Sequence, residues 1–180
     1  RKPRRRRGET YFYFNPEGGF EMTQQAVNLV ELLKANGRTC ATAESCTGGM
    51  IGSLVTAVPG SSEVYLGGVV SYANSVKEGV LGVSDGTLET FGAVSEKCAT
   101  EMAEGVRLLT GADVAVSVTG VAGPGGGSAE KPVGLVWFAV ATESGTRSEK
   151  AIFAGSREDV RRSAAMHAVG MLTVAAIDMD

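Results

Sequence analysis

Asp113-Val114-Ala115-Val116-Ser117-Val118-Thr119 reads as a strand that is apolar on both faces. Successive side chains of a strand point to opposite sides, so both sides of this one call for cover. Strands of this kind belong in sheets that carry helices on each face. Before it, Ser95–Leu109 has the period of an amphipathic helix that ends at Gly111. After it comes the loop Gly120–Pro132, with five glycines and two prolines. Val133–Thr142 and Arg147–Ala154 then form a hairpin turning at Glu143–Thr146. Ser156 and Asp159 are spaced as a capping box for a last helix that runs nearly to the end.

Toward the amino terminus the same reading gives a helix over Ser84–Phe91 and a short helix capped by Asn74 that reaches about Leu81. Tyr65–Tyr72 and Arg38–Glu44 are strands, and Met50–Val58 is a helix of small and apolar residues. Thr23 caps a first helix running to about Asn36, with Ala26, Leu29, Val30 and Leu33 on one face and Gly37 as its stop. Met22 and Val27 are placed as a hydrophobic staple. Strands and helices mix without strict alternation. The expected fold class is α/β: a single-domain three-layer α/β/α sandwich with a mixed, largely buried sheet.

Composition narrows the function. A hydrophobic fraction of 43% over 180 residues suits one soluble globular domain. No apolar run is long enough to span a bilayer, and the amino terminus has no apolar core of a secretory signal, so no membrane partner is expected. Arg1, Lys2, Arg4, Arg5, Arg6 and Arg7 supply six of the 17 basic residues. From Thr23 onward, 11 basic residues face 17 acidic ones. The core is therefore acidic, and nucleic acid is not expected as its partner. Residues 1–22 are read as a basic, flexible leader and residues 23–180 as the domain. Cys40, Cys46 and Cys98 are odd in number and scattered, which supports neither a disulfide framework nor a zinc site. No metal and no cofactor are expected, and a reducing, cytoplasmic setting is. The oligomeric state stays open, a homodimer included.

His167 is the one histidine, and it falls inside the last helix between alanines. A His-based triad or a Cys–His pair would rest on that residue alone. Lysine is the remaining base that burial can tune to work near neutral pH. Ser45 sits where a strand turns sharply into a helix, followed by backbone amides of Thr47, Gly48 and Gly49 that can hold an oxyanion or an anion. Read from the residues alone, Ser45 is equally a cap for the next helix. Ser62, in a Gly-Ser-Ser turn, is a rival nucleophile or a proton relay. Lys77 falls in the first turn of its helix, where the dipole and burial both oppose its charge. The ordinary reading of such a residue is a solvated surface lysine. Gly120 to Gly127 offers backbone amides after a buried strand, a common approach to phosphate or ribose, although no Walker sequence follows.

Five ordered segments carry a resemblance. They are Thr42-Ala43-Glu44-Ser45-Cys46-Thr47-Gly48-Gly49, Ser71-Tyr72-Ala73-Asn74-Ser75-Val76-Lys77, Gly92-Ala93-Val94-Ser95, Thr119-Gly120-Val121-Ala122-Gly123-Pro124-Gly125-Gly126-Gly127 and Glu130-Lys131-Pro132-Val133-Gly134. Together they resemble the carboxy-terminal domain of the CinA competence/damage-inducible family, in its stand-alone nicotinamide-nucleotide amidohydrolase form, over about residues 23–178. The resemblance implies a small-molecule nucleotide substrate: the carboxamide of nicotinamide mononucleotide is hydrolysed to nicotinate mononucleotide and ammonia, a step of pyridine nucleotide salvage. It implies a dyad of Ser45 and Lys77, with Tyr72 as a pocket hydroxyl that orients it. Substrate binding falls to Thr47, Gly48, Gly49, Thr119, Gly120, Gly123 and Arg157, the last as a phosphate clamp. Larger family members carry an amino-terminal domain whose chemistry is not expected here. Ser156, Ala73 and Ala129 stand where relatives often have Asp or Asn, Ser, and Pro, which bears on substrate preference. The competing readings are an amidohydrolase for another small amide and a non-catalytic nucleotide-binding module. A binding module needs a phosphate site but no base.

Overall fold

In the computed structural model of the chain, the backbone is described for residues 11–13 and 18–178, and the side chains from Met22 to Asp178. The basic run Arg1 to Arg7 lies outside the described residues. Six strands form one sheet: β1 (Tyr11–Tyr13), β2 (Cys40–Glu44), β3 (Tyr65–Val70), β4 (Val114–Gly120), β5 (Leu135–Thr142) and β6 (Gly145–Ala154). Their spatial order is β1-β6-β5-β4-β2-β3. β4, β2 and β3 run parallel, β5 is antiparallel to both β4 and β6, and β1 is parallel to β6. The sheet is thus mixed, and β4 is buried along nearly its whole length, as its two apolar faces require.

The helices are α1 (Gly18–Ala35), α2 (Met50–Thr56), α3 (Asn74–Leu81), α4 (Asp85–Phe91), α5 (Glu96–Thr110) and α6 (Arg157–Ile177). Val114, Val116, Val118, Phe138 and Phe153 meet α1, α2 and α6 on one face of the sheet. Ala41, Ala43 and Ala115 meet α3, α4 and α5 on the other through Leu81, Leu88, Cys98, Met102 and Val106. The architecture is the three-layer α/β/α sandwich that the apolar strands demand. The face of α1 read from the sequence is the buried one: Ala26, Leu29, Val30 and Leu33 are all in the core. The hairpin of β5 and β6 closes with Thr142 opposite Gly145, and the Ser156–Asp159 capping box is present.

Three local readings are corrected. α1 starts at Gly18, so Thr23 is an interior residue and not its cap. The backbone of Tyr11–Tyr13 pairs with Ile152–Ala154, so part of the segment read as a leader adds a strand to the sheet. Ala73, not Asn74, is the N-cap of α3, and no side chain caps that helix.

The connections decide where a site can form. The chain leaves β2 through α2 on one face, and leaves its neighbour β3 through α3, α4 and α5 on the other. Strands whose connections depart to opposite faces leave a crevice at their carboxyl ends. Here that crevice lies beyond β3, β2 and β4. Packing of the second layer depends on Gly105, where α5 crosses the end of α3: a Cβ there would run into the carbonyl of Leu81. Gly170 of α6 is also helical but has open space where its Cβ would stand. Gly105→Ala should therefore destabilise the fold by about 1–3 kcal/mol, the usual cost of overpacking. Gly170→Ala should be neutral or stabilising by up to about 1 kcal/mol, from helix propensity alone. Urea unfolding of the two variants tests this, and equal effects would refute the crossing contact.

Candidate active site

The site begins with a carboxylate in the core. Glu44, the last residue of β2, is 2% exposed. Its Oε2 accepts from the amides of Gly49 at 3.0 Å and Ile51 at 3.1 Å, and its Oε1 accepts from Gly52 at 2.8 Å. These are the amides that the first turn of α2 leaves without partners. The N-cap of that helix is Gly49, which has no side chain to serve them. Glu44 thus caps α2 from the preceding strand and holds the two elements at a fixed angle. Between them the chain reverses through Ser45, Cys46, Thr47 and Gly48, with φ of +62° at Gly48 and +95° at Gly49. Glycine adopts that left-handed conformation without steric cost.

Ser45 is placed by this turn against Lys77, which comes from α3 on the opposite face. Lys77 is 1% exposed, the largest fully buried side chain of the described residues. Its Nζ lies 2.6 Å from the carbonyl oxygen of Ser71, 3.1 Å from Ser45 Oγ and 3.3 Å from the carbonyl oxygen of Tyr72. No carboxylate is among these partners. Burial accordingly pushes the Lys77 amine below the ordinary lysine range. A cavity of about 220 Å³ opens over the pair, lined by Ser45, Lys77, Tyr72, Thr119, Gly120 and Arg157, with Asn74, Ala93 and Val94. Arg157, the first residue of α6, donates to the Gly123 carbonyl at 2.8 Å and to Tyr72 Oη at 3.1 Å. It ties the glycine-rich loop to the cavity rim.

Cys46 lines the cavity, but neither a thiol nor the histidine is a hydrogen-bond partner of Lys77. Burial pushes Cys40 and Cys46 up to about 12 and Cys98 to about 11, so all three stay protonated at neutral pH. His167 packs against Phe138 and Phe153 and bonds Glu149 through Nε2. No group of three or more His, Cys, Asp or Glu side chains suited to a metal is found among the described residues. No helix among them is long and apolar enough to cross a membrane. A larger cleft of about 360 Å³ lies beside Phe91, Trp137, Lys131 and Lys150, but it brings no nucleophile against a base.

Several expected roles are revised by these contacts. Ser62 lies exposed on a single 3₁₀ turn before β3 and is not among the partners of Lys77. Tyr72 meets Lys77 through its carbonyl, while its hydroxyl serves Arg157. The amide of Gly48 is spent on the Ser45 carbonyl and that of Gly49 on Glu44, so neither is left for an oxyanion. Gly123 offers a carbonyl to Arg157, and the Thr119 hydroxyl donates to the Ala93 carbonyl. The sequence pointed to no site role for Glu44 or Arg161, and to Asn74 only as a helix cap. Glu44 carried a signal, an acid at a strand end before a glycine N-cap. Arg161 carried none, because its partners Cys46 and Thr47 are more than a hundred residues away.

Known proteins share this fold and much of this sequence. The family model described as the CinA C-terminal domain matches residues 22–175. A relative from Enterobacter agglomerans, described as nicotinamide-nucleotide amidohydrolase PncC, is 52% identical over 142 residues, which is 78% of this chain and 87% of that protein. A CinA-like protein of Thermotoga sp. strain RQ2 is 51% identical over 141 residues, again 78% of this chain. The chain spans 34% of the length of that longer relative. Among solved structures, a competence/damage-inducible protein from Agrobacterium tumefaciens has a TM-score of 0.84 at 41% identity, covering 87% of this chain and 96% of its own. One from Klebsiella pneumoniae has a TM-score of 0.85 at 36% identity, covering 88% and 99%.

The buried amine makes stability depend on pH in a stated direction. A lysine whose pKa is lower in the folded than in the unfolded state is charged at a cost in acid, and that cost vanishes as it deprotonates. Wild-type stability should therefore rise, relative to Lys77→Met, as pH climbs from the lowered value of Lys77 to the ordinary value of about 10.4. Urea unfolding at a series of pH values measures the difference. A difference that does not change with pH would mean that Lys77 titrates normally.

Proposed function

The chain belongs to the CinA C-terminal domain family, and on that premise we propose that it hydrolyses the carboxamide of nicotinamide mononucleotide, giving nicotinate mononucleotide and ammonia. The observation that carries this reading is the 3.1 Å contact between Ser45 Oγ and the buried Lys77 Nζ. A neutral amine has two hydrogens and one lone pair. The carbonyls of Ser71 and Tyr72 take the two hydrogens, which leaves the lone pair directed at the hydroxyl of Ser45. In that state the serine donates and the lysine accepts.

The reaction then runs as acyl transfer. Ser45 Oγ attacks the carboxamide carbon while its proton passes to Lys77 Nζ. The tetrahedral oxyanion collapses, the C–N bond breaks, and Lys77 returns the proton to the departing nitrogen as ammonia. Water attacks the resulting ester, giving its proton to Lys77. The ester C–O bond breaks and Ser45 Oγ recovers a proton. One water is consumed, and no metal or redox partner enters the balance. Arg157 at the start of α6 suits the 5′-phosphate, since a guanidinium at a helix amino terminus presents both its own charge and the helix dipole. The free, buried cysteines suit a reducing, cytoplasmic compartment.

Lys77→Arg separates a base from a mere cation, because guanidinium stays protonated. The variant should lose about two to four orders of magnitude in kcat, the usual scale for general-base loss. Ser45→Ala should lose a comparable amount, and the double variant should be little worse than either, since dyad members act as a unit. Ser62→Ala should keep full activity. Ammonia release assays decide the matter, and an active Lys77→Arg protein would reject the Ser/Lys mechanism. Nicotinamide mononucleotide should also have a far higher kcat/KM than free nicotinamide, which lacks the phosphate. Equal values would remove the phosphate role of Arg157.

A further inference from the structure

The turn after β2 has its carbonyls held in an unusual way. Ser45 O accepts from the Gly48 amide at 3.1 Å. Cys46 O accepts from Arg161 Nε at 3.2 Å, and Thr47 O accepts from Arg161 Nη2 at 3.0 Å. Thr47 O also receives the Met50 amide at 3.3 Å. A trans peptide points its C=O and its N–H in opposite directions. The Thr47 amide therefore points away from Arg161, which holds the Cys46 carbonyl of the same peptide, and the Cys46 amide points away from the Gly48 amide, which holds the Ser45 carbonyl. Those are the two amides that directly follow the nucleophile. The Gly48 and Gly49 amides are already engaged, whereas no other residue among those described accepts from Cys46 N–H or Thr47 N–H.

Arg161 itself has little left to offer a ligand. Its Nη1 is taken by Glu158 Oε2 at 3.2 Å, so Nε, Nη1 and Nη2 all have partners. It does not line the cavity, while Arg157, one turn earlier on the same helix, does. A guanidinium bonded to a peptide oxygen also polarises that peptide, which makes its N–H a better donor.

Resting on the acyl-transfer reading above, we infer that Arg161 is a positioning residue: from α6 it grips the Cys46 carbonyl, whose peptide carries the Thr47 amide, and the Thr47 carbonyl, whose peptide carries the Gly48 amide that holds Ser45 O and with it the Cys46 amide, and so it sets the amides after Ser45 for the developing oxyanion. The oxyanion hole is then built on the Cys46 amide, whose residue lines the cavity, with the buried Thr47 amide next to it, and both are set from behind by a cation that does not line the cavity. Misalignment of such donors acts on the transition state more than on ground-state binding.

The test is kinetic. Arg161→Ala should lower kcat for nicotinamide mononucleotide by about 10²-fold, the scale of a displaced catalytic group, with KM nearly unchanged. Guanidinium ion added below denaturing concentrations should restore part of that loss, and none of the loss in Lys77→Arg. Arg161→Lys, which keeps the charge but reaches the carbonyls with one nitrogen, should fall between the two and carries the comparison should the alanine variant not fold. In parallel, the rate at which a fluorophosphonate ester labels Ser45 is followed by mass spectrometry in wild type and variants. Labelling also builds an oxyanion at Ser45, so it should slow in the Arg161 variants whatever the natural amide is. Wild-type protein that labels but leaves nicotinamide mononucleotide intact would overturn the proposed substrate and leave the Arg161 comparison standing. A raised KM with unchanged kcat would make Arg161 a substrate ligand, and folded variants with unchanged labelling would show that it positions nothing. Either result overturns the inference.

Discussion

The carboxylate of Glu44 is removed from water at the end of a core strand, and a buried carboxylate is tolerated only when its oxygens are satisfied. Three amides at the start of α2 satisfy it, at 2.8 to 3.1 Å. The same three amides would otherwise be buried without acceptors, so each group answers the other's need. This mutual requirement fixes the angle between β2 and α2. The turn at the site follows from it, since only Ser45 to Gly49 bridge the gap. A Cβ at Gly52 of α2 would clash with Tyr65 Oη, while Glu44 Oε1 would stand at ordinary contact distance.

A second constraint comes from the other face of the sheet. Lys77 reaches the site from α3, inside a helix whose core residues otherwise pack on the α5 layer. Its amine is surrounded by oxygens that carry no formal charge. Ion pairing with a carboxylate would have held it protonated. Carbonyl oxygens instead orient it while leaving its charge unfavourable. The one histidine of the chain is committed to Phe138, Phe153 and Glu149, away from this pair.

The topology brings these pieces together. β2 and β3 are adjacent and parallel, yet their connecting helices lie on opposite faces of the sheet. The serine turn enters the crevice from one face and the lysine helix from the other. β4 supplies Thr119 and Gly120 from the third side, and α6 closes the fourth with Arg157 over the cavity and Arg161 behind the turn. The two arginines are one helical turn apart but serve different parts of the site. Their separation is the four-residue spacing of one helical turn, and the capping box at Ser156 and Asp159 sets where α6 begins.

Most of the layered fold was legible in the residues because it rests on local periodicity. The apolar strand at Val114–Gly120, the amphipathic α5 with its Ser95 and Gly111 ends, the β5–β6 hairpin and the α6 capping box all encode themselves within a few positions. Family motifs marked Ser45 and Lys77, and the single histidine argued for a lysine base. What only the tertiary structure decided depends on contacts between distant segments. The sequence left Ser45 and Ser62 as rivals; only the fold shows that Ser45 Oγ lies within reach of Lys77 Nζ, 32 positions away. Which amides after Ser45 stay available followed from Glu44 and from Arg161 on the last helix. The strand at Tyr11–Tyr13 arises by pairing with β6, more than 130 residues away. Hydrogen bonds of that separation leave no periodic trace in the chain, because nothing in the local spacing of Arg161 or Ser62 records what faces it across the fold.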